Sequence, residues 1–116
     1  VSGGLRDALL PLAAWLGLSD ADVFAVNVVY ESDKAVRVQT PSPLSMRGGK
    51  HRVVSSLSLE RPVLAVGDGA TDAELADVAD RFIAFTGVVR RLAVVARADG
   101  EVCSFADLTP IVVGDR

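Results

Sequence analysis

Cysteine, histidine, tryptophan and tyrosine each occur once in these 116 residues, and aromatics make up only 5% of the chain. A lone thiol, Cys103, forms no internal disulfide, which fits a reducing cytoplasm. So few aromatic rings argue against a platform on which nucleic-acid bases stack. Cationic patches are equally scarce. Twelve Lys and Arg face fifteen Asp and Glu for a net charge of −3, and Arg90-Arg91 is the nearest thing to a basic cluster. Nucleic-acid binding through a basic face is therefore excluded as a reading. No apolar run approaches the roughly 20 residues that span a bilayer, so no membrane partner is expected. There is no basic-then-apolar leader, no internal repeat and no low-complexity tract. What the chain does have is apolar side chains: half its residues are hydrophobic, with a mean hydropathy of +0.37. That composition predicts a buried core, and the length predicts one domain.

Residues 5–16, LRDALLPLAAWL, are predicted helical, with a kink or restart at Pro11 and a stop at Gly17. Residues 23–30, VFAVNVVY, are β-branched and aromatic and are predicted as a strand. ESDK then reads as a turn and AVRVQ as the returning strand, making 23–39 a hairpin. A loop over 40–45 and a short helix over 50–58 come next. Residues 61–66, RPVLAV, form an apolar run of strand length, as in a sheet covered on both faces. Thr71 and Glu74 have the spacing of a capping box, which predicts a helix from about residue 72. FIAF, 82–85, is a second buried strand; 87–97 is predicted helical; EVCSF, 101–105, is a last edge strand before a short helix. Alternation of strands with helices implies an α/β fold with a mostly parallel sheet.

One stretch carries chemistry. VLAVGDGATDAELADVAD, residues 63–80, crowds Asp68 and Asp72 around Gly67, Gly69 and Thr71. Asp-Gly between apolar residues is a common hairpin signal. The segment after Asp72 has helical period instead of strand alternation, so the turn ends a strand and feeds a helix. Ligands in parallel α/β sheets bind at the carboxyl ends of strands. Carboxylates among glycines at that place suit Mg²⁺, which takes oxygen ligands and keeps several waters.

GDGATD, residues 67–72, resembles the acidic motif of the haloacid dehalogenase superfamily of phosphatases, and is most similar to its phosphoserine phosphatase group. Three further stretches extend the resemblance over nearly the whole chain. VSGGLRDALLPLAAWLGLSDADVFA, 1–25, resembles the family's serine motif with its helix and next strand; GGKHRVV, 48–54, resembles the loop and helix of its lysine; ADRFIAFTGVVRR, 79–91, resembles the strand and loop after the acidic motif. The resemblance implies part of a Rossmann-like parallel sheet flanked by helices, with a β-hairpin insertion.

A phosphoryl-transfer site needs donors for the equatorial oxygens, a cation and a nucleophile. By resemblance, Ser2 is the phosphate-binding hydroxyl, helped by the amides of Gly3 and Gly4. Lys50 is the point charge on the transferring phosphoryl group, both phosphate-binding and catalytic. Asp68 is the Mg²⁺ ligand, and Asp72 is catalytic, orienting Lys50 or a water on the ion. Thr71 is read as a cap or as a ligand contact, and Arg6 as a contact to a substrate carboxylate or as a surface arginine. His51, Asp77 and Asp80 read as surface residues, Cys103 and Trp15 as core.

The family's nucleophile is an aspartate in a D-x-D motif that ends the first, central strand, and a second aspartate there protonates the leaving group. The only D-x-D in this chain is Asp20-Ala21-Asp22, which precedes a strand instead of ending one. The first central strand and the substrate-selecting cap are thus read as absent. The chain opens VSGG, without an initiator methionine. Residues 1–116 are accordingly expected to be the C-terminal portion of a single catalytic domain, inactive alone and partnered by a missing N-terminal segment or chain. The expected substrate is a small phosphorylated metabolite, with phosphoserine a candidate. Departures at Arg47, at Val26-Asn27 and in the hairpin bear on that choice. Two alternatives stand beside this reading. One is an inactive fragment that binds a partner chain or phosphate. The other is the phosphorylation domain of a cation-pumping ATPase, which carries a similar turn but predicts transmembrane helices after it.

Overall fold

The leucine- and alanine-rich run near the amino terminus folds as helix α1, Arg6–Trp15, which continues through Pro11. It stops where expected. Gly17 takes φ +75°, and the N–H groups of Gly17 and Leu18 bond back to Ala14 and Ala13. That is a left-handed glycine closing a helix. The computed structural model describes residues 1–40 and 42–114; Pro41, in the expected loop 40–45, lies outside them. It divides into two compact units, Val1–Ser56 and Leu57–Arg116.

In the first unit the expected strand 23–30 is shared between two partners. Its first half runs beside residues 2–6: Ser2 N–H bonds Phe24 O, Val26 N–H bonds Gly4 O and Arg6 N–H bonds Val26 O, at 2.8–2.9 Å. Leu5 and Val26 form a parallel bridge there. Only the second half, β1, Val28–Glu31, enters the hairpin with β2, Lys34–Val38. Ser32 and Asp33 link them, both at positive φ (48° and 63°), the twist that suits a two-residue hairpin loop. A short 3-10 turn, Pro43–Ser45, precedes helix α2, Gly49–Ser56. Among the described residues, the buried apolar side chains of this unit are Ala13, Ala25 and Val26.

The second unit holds a three-stranded parallel sheet, β3 (Leu64–Gly67), β4 (Arg81–Phe85) and β5 (Gly100–Val102), in the order β3-β4-β5. Helix α3, Ala70–Ala73, continues into a 3-10 turn, Glu74–Asp77; α4 is Leu92–Val95 and α5 is Phe105–Val113. The fold is α/β, a parallel sheet flanked by helices plus an antiparallel hairpin. β4 is central, and Phe82, Ile83 and Ala84 are fully enclosed, as expected for a parallel strand covered on both faces. β3 starts three residues later than expected. Pro62 has no N–H to give a ladder, and Val63 instead donates to the Asp80 carboxylate at 2.6 Å. Asp99 plays the same part for β4, accepting from Phe82 N–H at 2.8 Å. Asp80 and Asp77, expected to be merely solvated, are both engaged, Asp80 also by Arg61 and Asp77 by Arg97.

The predicted helix 87–97 shrinks to α4 because the segment before it is pinned as a loop. Thr86 bonds Val102 O through its N–H and its hydroxyl. A Cβ on Gly87 would collide with the Cys103 carbonyl and the Phe85 ring. Among the described residues no helix is long and apolar enough to cross a membrane.

Helix α5 starts at a side-chain cap. Ser104 Oγ accepts from Asp107 N–H at 3.1 Å, and the Asp107 carboxylate accepts from the Ser104 hydroxyl at 2.6 Å. The Ser104 bond, with a weaker one from the Cys103 thiol, holds the Asp107 carboxyl below its ordinary value. A depressed folded-state value means the unfolded chain binds this proton more tightly. The cap's contribution is therefore complete above about pH 4 and is lost as pH falls through the lower folded value. Ser104→Ala should raise the Asp107 midpoint toward the ordinary carboxylate range, measured by carboxyl-carbon NMR titration.

Candidate active site

The acidic turn of the second unit is a closed geometric device. β3 ends at Gly67, Asp68 and Gly69 bend, and α3 begins at Ala70 with Gly69 as its N-cap. The Asp72 carboxylate reaches back and accepts from the N–H groups of Asp68 (3.2 Å) and Gly69 (3.0 Å). Meanwhile Gly69 O accepts from the N–H groups of Asp72 and Ala73, each at 3.1 Å. The capping pair is thus Gly69 with Asp72, and the expected Thr71–Glu74 box is corrected. The helix begins two residues earlier than that spacing suggested, so Thr71 lies inside its first turn. Gly67 is required by closeness: a Cβ there would run into the Cβ and carboxyl of Asp72. Asp72 is half-buried and Asp68 exposed, so the brace holds the exposed acid at the carboxyl end of a strand.

Asp68 is itself paired. Arg91 Nη1 donates to Asp68 Oδ2 at 2.7 Å and to its main-chain oxygen at 3.1 Å. Both groups remain about half exposed. The sequence showed Arg91 as charge and as the end of the stretch 79–91, with no partner assigned. The usable signal was its place in the loop after β4: parallel neighbours deliver their following loops to the same end of a sheet.

The first unit holds the other expected site residues. Ser2 Oγ accepts from Gly4 N–H at 3.0 Å. The Gly4 amide is therefore committed and is not a free phosphate donor. A hydroxyl carries one donor and two acceptor positions, so accepting from Gly4 leaves the Ser2 O–H able to donate. Gly3 is exposed. Arg6 is a clamp: its Nε bonds Val23 O at 3.1 Å and its Nη2 bonds Asp20 O at 2.6 Å. Those two carbonyls tie α1 to the 3-10 turn Asp20–Asp22, and the same guanidinium lines an open cavity of about 420 Å³ with Phe24, Leu44 and Val53. The Asp20-Ala21-Asp22 segment is that exposed turn and ends no strand, in keeping with its rejection as a nucleophile pair.

Lys50 is the second residue of α2 and is half-buried. Two glycines place it. Gly48 takes φ +70°, and Gly49 packs so closely on the 3-10 turn that a Cβ would collide with the Pro43 carbonyl. The GGK spacing therefore fixes where the lysine stem leaves the backbone.

Among the described residues no group of three or more His, Cys, Asp and Glu side chains gathers in one place. The turn fits a hard cation all the same. Its donors are oxygens only, a guanidinium already sits on the Asp68 carboxylate as a cation, and Mg²⁺ needs just one or two carboxylates with waters.

No family model matches the chain. Curated relatives do. It is 35% identical over 114 residues to the chloroplastic phosphoserine phosphatase of Arabidopsis thaliana, covering 93% of this chain and 39% of that one. It is 32% identical over 112 residues to the phosphoserine phosphatase of Bos taurus, covering 93% and 50%. The chain thus spans half the length, or less, of the relatives it matches. In fold it is similar to a phosphoserine phosphohydrolase-like protein from Francisella tularensis, with a TM-score of 0.77 at 24% identity over 97% of this chain and 53% of that one. By sequence, over 93% of its length, the chain is similar to phosphoserine phosphatases, and its fold is that of a phosphoserine phosphohydrolase-like protein.

Proposed function

We propose that these residues are the C-terminal part of a cytoplasmic, Mg²⁺-dependent phosphomonoester hydrolase that acts through a phospho-aspartyl intermediate, with phosphoserine as the candidate substrate. The observation that carries the reading is the braced turn. Asp72 spends its carboxylate on the Asp68 and Gly69 amides, which makes sense where the position of the Asp68 carboxylate matters. In this reading Asp68 holds the ion, which supplies charge neutralisation on the transferring phosphoryl oxygens. Ser2 donates its hydroxyl to a phosphate oxygen, with the Gly3 amide beside it. Lys50 offsets charge on the same group. Asp72 keeps the metal ligand in place. Thr71 and Arg6 support the site through local structure, Arg6 by its two carbonyl bonds. The aspartate nucleophile comes from outside these residues, because the single D-x-D here forms a 3-10 turn. Among the described residues β3 pairs only with β4, which leaves an edge where a strand carrying that nucleophile can dock.

A second reading, binding of a partner chain or phosphate without turnover, is favoured by the same lack of a nucleophile. One assay separates the two. The full-length protein should release phosphate from O-phosphoserine in the presence of Mg²⁺, and the 116-residue chain should not hydrolyse p-nitrophenyl phosphate. Turnover by the short chain that disappears in Asp68→Asn would contradict the missing nucleophile. A full-length protein that binds phosphoserine without hydrolysing it would establish the second reading.

A further inference from the structure

The Arg91–Asp68 pair is built, and nothing in the proposed chemistry uses it. The backbone of Arg91 is fixed by what surrounds it. Its carbonyl accepts from the N–H groups of Val94 and Val95, each at 3.0 Å, so Arg91 caps α4. Upstream, Thr86 is tied to Val102, and Gly87 has no room for a side chain. The adjacent Arg90 points elsewhere, making a two-point contact with Glu101 on β5 at 2.9 and 3.1 Å. From this anchored loop Arg91 reaches back 23 residues in sequence and puts one nitrogen on two oxygens of Asp68.

We infer that Arg91 is an internal counter-ion for the cation site: it neutralises Asp68 when no divalent ion is bound and must release that carboxylate for one to bind. The inference rests on the reading of Asp68 as the metal ligand. The physical reason is competition for one anionic group. Asp68 and Asp72 lie within one turn, and a second cation arriving at the Asp68 carboxylate meets a guanidinium already seated there. An exposed pair of this kind is worth at most about 1 kcal/mol, so its removal should tighten divalent-ion binding by roughly fivefold, and no more. The competition also couples the ion to the segment 86–91, since the guanidinium leaves Asp68 as the ion arrives.

The test is a Mn²⁺ titration of the ¹⁵N-labelled full-length protein at low ionic strength, following paramagnetic broadening of the Gly67, Asp68 and Gly69 amides. Wild type is compared with Arg91→Met, which keeps the apolar stem without the charge, and with Arg90→Met as a control for general charge loss. Arg91→Met should shift the titration midpoint to roughly fivefold lower Mn²⁺, and Arg90→Met should leave it near wild type. Equal midpoints for all three proteins would overturn the inference while leaving the metal site intact, as would an equal shift in both variants. If no protein shows broadening at residues 67–69, the metal reading itself fails and the inference goes with it. Amide dispersion in the metal-free spectra verifies folding in the same experiment.

Discussion

In the full-length protein, Asp72→Ala should lower kcat for phosphomonoester hydrolysis about a hundredfold, while the chain stays folded. The argument is positional. Two of the hydrogen bonds that hold the turn after β3 end on the Asp72 carboxylate, at 3.2 and 3.0 Å. Without them the Asp68 and Gly69 amides turn to water and Asp68 is free to shift. A displacement of about 1 Å at a reacting centre costs on the order of 10²-fold in rate. The variant Asp72→Asn separates bracing from charge, since its amide oxygen still accepts from the two N–H groups. If bracing is the main role, Asp72→Asn should retain much more activity than Asp72→Ala. Equal loss in both would point to a direct charge role for Asp72, and no loss in either would remove Asp72 from the site. Steady-state kinetics with O-phosphoserine and Mg²⁺ makes the measurement.

The largest stability effect is expected at Phe82. Phe82→Ala should destabilise the protein by about 3–5 kcal/mol, read from urea unfolding. Phe82 and Ile83 are the largest fully buried side chains, and both lie on the central strand of the parallel sheet. Among the described residues, the other buried positions of this unit are small or branched, among them Ala65, Ala73, Val94 and Val102. Full burial means that the whole ring volume is lost from a packed interior, which places the cost in the range for such truncations. Whole domains are stable by only about 5–15 kcal/mol, so this one change consumes a large fraction. A loss below about 1 kcal/mol would mean that β4 is not the centre of the core. Asp68 sits on the neighbouring strand's end, and β3 is held in register by β4, Gly67 opposite Ala84. Loss of order in β4 should therefore also lower activity.

The two effects differ in how far they were legible. Phe82 stood in an apolar run of strand length, and one-dimensional pattern suffices where both faces of an element are buried. The α/β class, α1 with its Gly17 stop, the strand-to-helix turn at 67–72 and the existence of a short last helix were legible for similar reasons, since each depends on local periodicity or on a residue whose backbone preference is strong. The resemblance of four separated stretches to phosphoserine phosphatases was legible too, and similarity over 93% of the chain accords with it.

Partners distant in sequence were not legible. The strand expected at 23–30 was divided because residues 2–6 compete for its first half, and nothing local to residues 23–26 announces that. Asp80 looked like a surface acid, yet it caps the start of a strand 17 residues before it, and Asp99 does the same for the next strand. Arg6 was read as a substrate contact or a surface arginine, and neither reading showed that it bonds two main-chain carbonyls. Asp72 was read as orienting Lys50 or a water on the ion, and its hold on the Asp68 and Gly69 amides was not legible, because only the folded turn brings its carboxylate onto them and against Gly67. The amino-acid order by itself determined the alternation of helix and strand and which residue types reach the turn, since those depend on neighbours along the chain. The tertiary structure alone decided which polar groups are already satisfied, since a hydrogen bond depends on proximity in space, and that is what distinguishes Arg91 on Asp68 from one more charge in a loop.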